Sequence, residues 1–289
     1  MTSTNPPTVK KISKENDCSI VSVLKNSDNK TDDNICISDN SIKAIVEKVD
    51  HSQHESGEST KTSIIETYKE IRKDYGCEND MCMLEIVESK NILPEAVVEK
   101  ELAINIKPEG PYDSFKWFNN SNIDEVFHQM EMGYPNYHHI NFQMIDFMDL
   151  KTELATLDLS KLPKNKNKIG CVLNTDVSTG RGIHWFCVFI DMSKDVISIE
   201  FFNSSGNKPK TPVHQWMIKM EEQCNEMGRK CERIIASQNR HQYSDTECGP
   251  YSCYYVLSRI QDVPYQFFMK NRIPDEKVTE LRKQIFRKD

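Results

Sequence analysis

The chain has 289 residues, 37% of them hydrophobic, with 44 acidic side chains against 37 basic ones for a net charge of −7. That length accommodates one good-sized domain with an extension, or two smaller units. An acidic chain argues against a nucleic-acid-binding protein, which would carry a basic face or stripe; the one basic run, Lys161 to Lys168, is interrupted by Pro163, Asn165 and Asn167 and reads as a solvated loop.

Residues 1–60 are rich in Ser, Asn, Lys, Asp and Thr and carry only brief apolar touches at Ile20 to Leu24 and Ile42 to Val46. Too little apolar surface is available there to offset the entropy of ordering, so the stretch is expected to be a flexible tail. Its start shows no apolar signal region, and no stretch of the chain is long enough to span a membrane. The ten cysteines, scattered through ordinary core patterns, are expected to be reduced thiols. Cys77 and Cys82 could form half a zinc site, but no second pair with ligand spacing stands near them. No metal and no cofactor is expected.

From Thr60 the pattern turns helical. Ile64, Ile65, Tyr68 and Ile71 recur at helical spacing with Gly76 as a C-cap; Met83 to Val87 predicts a second helix, and Pro94 opens a third carrying Val97, Val98 and Leu102. Residues 61–110 thus form a helical arm, and residues 111–289 the main domain. Asn122 with Glu125 predicts a capped helix through Met130. His138 and His139, after Pro135, fall in a loop-like stretch and read as surface residues. Short strands follow at Ile169 to Leu173, Ile183 to Ile190 and Val196 to Phe202, the last placing Ile197, Ile199 and Phe201 on one face. Thr211-Pro212 opens a helix whose stripe of Val213, Trp216, Met217, Met220, Cys224 and Met227 is expected to be a core face. Arg233 to Ser237 predicts another strand, and Gly249-Pro250 a helix with Tyr251, Tyr254, Tyr255 and Leu257 inward. Mixed strands and helices behind a helical extension define an α+β protein.

Four residues carry the candidate chemistry. Cys248 stands where a loop enters the last of these helices, where unpaired backbone N–H groups and the helix dipole favour a thiolate. Alone, it reads equally as a small buried hydrophobe. His184 lies in an apolar strand, the usual setting of a satisfied core histidine. Asn203 ends the next strand and reads by itself as a turn residue, and Gln242, six residues before Cys248, as a polar loop side chain. A strand, a turn and a returning strand would set Asn203 beside His184, because antiparallel neighbours lie about 5 Å apart. Cysteine nucleophiles need a base, a group that orients the base, and donors where negative charge develops. The four residues fill those roles.

The order His-Trp, then Asn, then Gln, five residues, Cys-Gly resembles that of the clan of SUMO proteases and adenovirus proteases; papain runs Cys, His, Asn and differs. Gly170-Cys-Val-Leu-Asn-Thr-Asp176, Phe202-Asn-Ser, Arg240-His-Gln, Thr246-Glu-Cys-Gly-Pro-Tyr-Ser252 and Ile273-Pro-Asp-Glu-Lys277 are similar, within that clan, to the polyprotein-processing proteases of the African swine fever virus type. The likeness runs from about Asn122 to the C-terminus, is weaker in the arm and is absent from the first 60 residues. It implies an adenain-like core, a central mixed sheet flanked by helices. It implies Cys248 as nucleophile, His184 as base, Asn203 as orienting group and Gln242 as an oxyanion donor with the Cys248 N–H. It further implies cleavage after Gly-Gly, with Trp185 roofing a channel too narrow for side chains, and viral polyproteins as substrates in the host cytoplasm or the virion. Trp185 otherwise reads as a core aromatic. Removal of ubiquitin-like modifiers is the competing activity, because their tails also end in Gly-Gly. A non-catalytic scaffold on a retired protease fold is the competing class, but such proteins lose the nucleophile or base.

Overall fold

The computed structural model describes residues 17–21, 35–50, 61–113 and 115–288. They divide into two units: Asp113–Lys283, and the described part of Ile12–Tyr112 together with Gln284–Asp289.

The described residues of the second unit include the helices α1 (Asp39–Asp50), α2 (Lys61–Asp74), α3 (Asp80–Ser89) and α4 (Glu95–Asn105). The last three are the helices that the apolar spacing predicts. Gly76 follows α2 at φ +69°, a conformation in which a Cβ would be strained. The first helix corrects the expectation of a tail over residues 1–60. Ile42 and Ile45 of α1 are buried in one cluster with Tyr68, Leu84 and Val98. Two buried carboxylates supply what apolar area alone could not. Asp80 accepts the backbone N–H groups of Cys36 and Ile37, the Tyr68 hydroxyl and the Arg72 guanidinium. Glu101 accepts the N–H of Ser38 and the Ser38 and Ser41 hydroxyls. Residues 1–16, 22–34 and 51–60 of that stretch lie outside the described residues.

Six cysteines expected as free thiols are paired instead. Cys18 with Cys36 and Cys77 with Cys82 are disulfide-bonded in this unit, and Cys224 with Cys231 in the other. The turn after α2 brings Cys77 and Cys82 to a Cα separation of 5.4 Å, inside the range a disulfide spans. Both sulfurs of the half zinc site are thus used by each other.

The Asp113–Lys283 unit is built on a five-stranded sheet in the order β1-β2-β3-β4-β5. It comprises β1 (Tyr137–Met144), β2 (Lys168–Asn174), β3 (Trp185–Asp191), β4 (Val196–Phe202) and β5 (Lys230–Ile235). β1 runs parallel to β2 and β4 parallel to β5, while β2/β3 and β3/β4 are antiparallel. Helices α5 (Asn120–Gly133), α6 (Glu153–Thr156), α7 (Thr211–Glu226), α8 (Cys248–Ile260), α9 (Gln266–Lys270) and α10 (Asp275–Ile285) complete the element order. The mixed sheet flanked by helices is the α+β core expected.

Strands β2 and β3 are buried along their whole length, as continuous apolar runs require. On one face Phe186, Val188, Ile197, Ile199 and Phe201 pack with Trp216, Met217 and Met220 of α7. On the other face Phe202 stacks on Tyr255 of α8 at 4.4 Å. There Glu200 is fully buried and takes two hydrogen bonds of 2.8 Å from Arg259, with the Tyr255 hydroxyl at 2.7 Å. Arg259 also reaches Asp191 at 3.1 Å. This network ties α8 to the two central strands.

Three local expectations change. The capping box at α5 uses Asn119 and Asn122 rather than Asn122 and Glu125, because Asn119 and Asn122 exchange side-chain and backbone bonds. His138 and His139 lie on β1, not in a loop, and their alternation gives them different fates: His138 meets Glu131 and Glu153 at the surface, whereas His139 is buried against Asp124 at 2.9 Å. Lys168, at the end of the basic run, is buried too. Its ammonium donates to the Ile260 carbonyl at the end of α8.

Removing the acceptor of a buried guanidinium leaves that charge uncompensated, so Glu200→Ala is expected to cost about 3–5 kcal/mol. Urea unfolding of the variant against the parent measures this.

Candidate active site

The antiparallel pairing of Cys187 with Phe202 brings the start of β3 and the end of β4 together. His184 immediately precedes β3 and Asn203 immediately follows β4. The His184 Nε2 lies 2.8 Å from Asn203 Oδ1. That oxygen also accepts the backbone N–H of Ser205 at 3.0 Å and the Ser205 hydroxyl at 2.8 Å. A backbone N–H can only donate, so the amide atom facing it is the oxygen. The same oxygen therefore faces a protonated Nε2. The proton sits on Nε2, and Nδ1 presents a lone pair.

Cys248 is the first residue of α8 and is 3% exposed. Burial pushes its thiol above the ordinary range, while the backbone N–H groups of Trp185, Gly249 and Cys248 itself oppose that rise. Gly249 is required by space: a Cβ there would lie 2.9 Å from the Cβ of Phe118. Phe118 also receives the indole N–H of Trp185 on its carbonyl at 3.0 Å. Trp185 is thus buried with its ring plane set, edge-on to Phe142.

Gln242 is held by both ends of its amide. Its oxygen accepts the Ser204 hydroxyl at 2.7 Å, and its nitrogen donates to the Ser244 carbonyl at 2.7 Å. A carbonyl can only accept, so the amide orientation is again determined, and one of the two Nε2 hydrogens is used by Ser244. The backbone N–H groups of His241 and Gln242 both donate to the Ser204 carbonyl. This stitches the segment before the nucleophile onto the turn after Asn203.

Helix α10 secures the other side of that segment through residues that sequence reasoning did not single out. Asp275 accepts the N–H groups of Tyr243 and Ser244 and the Tyr251 hydroxyl. Glu247, directly before Cys248, is 1% exposed and pairs with the equally buried Arg282 at 3.1 Å. Arg282 also donates to the Lys116 carbonyl and lies over the Phe118 ring at 4.8 Å. Asp275 belongs to the Ile273–Lys277 stretch of the resemblance. Glu247 beside the cysteine was a second visible signal, but its partner 35 residues on was not.

His184 is partly buried, and that burial lowers its pKa; the Asn203 bond opposes the change and Lys210 adds to it. Burial thus shifts the thiol up and the imidazole down from their ordinary ranges, each against the charged form.

Comparison with known proteins identifies the family. The family model of the Ulp1 protease family, C-terminal catalytic domain, matches residues 146–289. A cysteine protease from a Malawi tick isolate of African swine fever virus is 32% identical over 270 residues, covering 84% of this chain and 99% of the relative. A Kenyan pig isolate contributes a protein named SUMO-1 cysteine protease, also 32% identical with the same coverage. The crystal structure of the African swine fever virus protease superposes with a TM-score of 0.72 at 27% identity, covering 95% of this chain and 96% of that one. Sheet, flanking helices and an N-terminal helical region are therefore those of a cysteine protease. The chain belongs to the Ulp1 protease family.

The tautomer argument makes a direct prediction. The His184 midpoint, followed by NMR, is expected below the ordinary value of about 6.5. In Asn203→Asp a carboxylate replaces the amide and favours the imidazolium, so the midpoint is expected to move upward.

Proposed function

We propose that this protease cuts peptide bonds after Gly-Gly, with Cys248 as nucleophile and His184 as general base and acid. Asn203 orients the imidazole, and Gln242 and the Cys248 N–H receive the oxyanion. The observation that carries the reading is the tautomer of His184, with Nε2–H engaged by Asn203 and Nδ1 left as a proton acceptor.

The chemistry follows from those groups. Nδ1 takes the thiol proton as the sulfur attacks the carbonyl carbon of the second glycine. Negative charge on the carbonyl oxygen meets the Cys248 N–H at the start of α8 and the remaining N–H of Gln242. The imidazolium returns its proton to the departing amine, and the C–N bond breaks to leave a thioester. Water, deprotonated by the same Nδ1, then releases the glycine carboxylate and restores the thiol. Asn203 is neutral, so it orients the ring without stabilising the imidazolium by charge. Trp185, locked edge-on by Phe118 and Phe142, walls a channel that admits glycine.

Viral structural polyproteins are the substrates that the resemblance favours, cut during assembly in the host cytoplasm by an enzyme carried in the particle. Support comes from the African swine fever virus relatives, which the chain matches over 99% of their length. The name SUMO-1 cysteine protease on one relative favours a second reading, removal of ubiquitin-like modifiers.

A fluorogenic peptide carrying Gly-Gly before a small residue tests the assignment. Wild type is expected to hydrolyse it, and Cys248→Ala to lose about 10⁴-fold or more. Similar kcat/KM on the short peptide and on a folded modifier fusion supports polyprotein processing. A large preference for the folded modifier supports deconjugation.

A further inference from the structure

Beside His184 the surface opens into a cleft of about 330 Å³. His184 and Asn203 form one wall, Phe186 and Phe201 the floor, and Lys208 and Lys210 the far rim. Cys248, Gln242 and Trp185 do not line it. Ile183, adjoining His184, is 62% exposed at its edge. Lys210 is fixed there by a 2.9 Å bond from its ammonium to the Thr175 carbonyl, and Lys208 is exposed in the loop before it.

Which half of a substrate the cleft can serve is set by the chemistry. During acyl transfer the half before the cut stays on the Cys248 sulfur with its oxyanion near the Cys248 N–H and Gln242. The half after the cut must present its nitrogen to the imidazole, which protonates it, and leaves past that ring. A cleft lined by His184 but not by the acyl-holding groups is therefore assigned to the leaving side.

We infer that this cleft binds the residues just after the cut, an apolar side chain against Phe186 and Phe201 followed by acidic side chains facing Lys208 and Lys210. The inference rests on the proposed roles of Cys248 and His184. It identifies a specificity element for the downstream half of the substrate, a half about which glycine recognition says nothing. Two ammonium groups at the mouth, in a chain of net charge −7, would also turn an acidic substrate toward the site. Each exposed charge contact is worth little, so the preference is of moderate size and weakens with salt.

Three peptides test it, each carrying Gly-Gly-Leu followed by two aspartates, two alanines or two lysines. For wild type at low salt, kcat/KM is expected to fall in that order, by about threefold at each step. In Lys208→Gln, which leaves the Lys210 charge, the preference is expected to shrink, and in Lys208→Glu, which makes the pair neutral, it is expected to flatten. Equal cleavage of all three peptides by wild type, or an aspartate preference unchanged in both variants, overturns the cleft assignment alone. Cleavage of none of them by folded wild type overturns the Gly-Gly reading and the assignment with it.

Discussion

The buried pair of Glu247 and Arg282 holds Cys248 where it is. Both side chains are almost without solvent contact, and a charge in such a place is tolerated only opposite its partner. The carboxylate belongs to the residue just before Cys248, and the guanidinium to the last helix. Arg282 continues to the Lys116 carbonyl and the face of Phe118. Phe118 in turn abuts Gly249 and accepts the Trp185 indole N–H. One ion pair thus sets the height of the helix start, the need for glycine after the cysteine and the orientation of the tryptophan. Its net contribution to folding is modest; its value is that it leaves the loop one position to occupy.

The base is held by different means. Here no charge is involved, and a turn rather than a helix does the work. The chain leaves β4 at Asn203 and bends so that the Ser205 N–H meets the asparagine oxygen. The amide cannot then flip, and the histidine cannot choose its tautomer. Cys248 stands at a helix start and His184 at a strand start, so the two sit on different elements. The Ser204 carbonyl links them by accepting the N–H groups of His241 and Gln242.

Much of this was legible from the chain. Strands β2 to β4 follow from continuous or alternating apolar runs, and helix α7 from its stripe and Thr211-Pro212. The candidate residues were readable because chemistry restricts which types can serve and the family keeps their order. What escaped depended on long-range polar contacts. Ile42 and Ile45 looked too few to order a segment, because the carboxylates that clamp it, Asp80 and Glu101, lie 43 and more residues from the groups they bind there. His139 looked exposed because its partner, Asp124, belongs to the preceding helix. Six cysteines looked free because their pairing follows from turns whose closure the spacing leaves open. Hydrophobic periodicity is local, whereas the partner of a buried polar group is not.

The final residues of the chain carry one more implication. Helix α10 begins in the unit that holds Cys248 and ends in the other, where Phe286 occupies the space left by the missing side chain of Gly110. The Arg287 N–H and guanidinium there donate to the carbonyls of Pro108 and Lys107. A ribosome delivers those residues after the strands and helices of the other unit, so the N-terminal helices emerge first yet wait for that unit to follow before their packing is complete. Vectorial synthesis therefore makes the arm the last part to mature, and a nascent chain stalled anywhere before residue 286 carries an unfinished one.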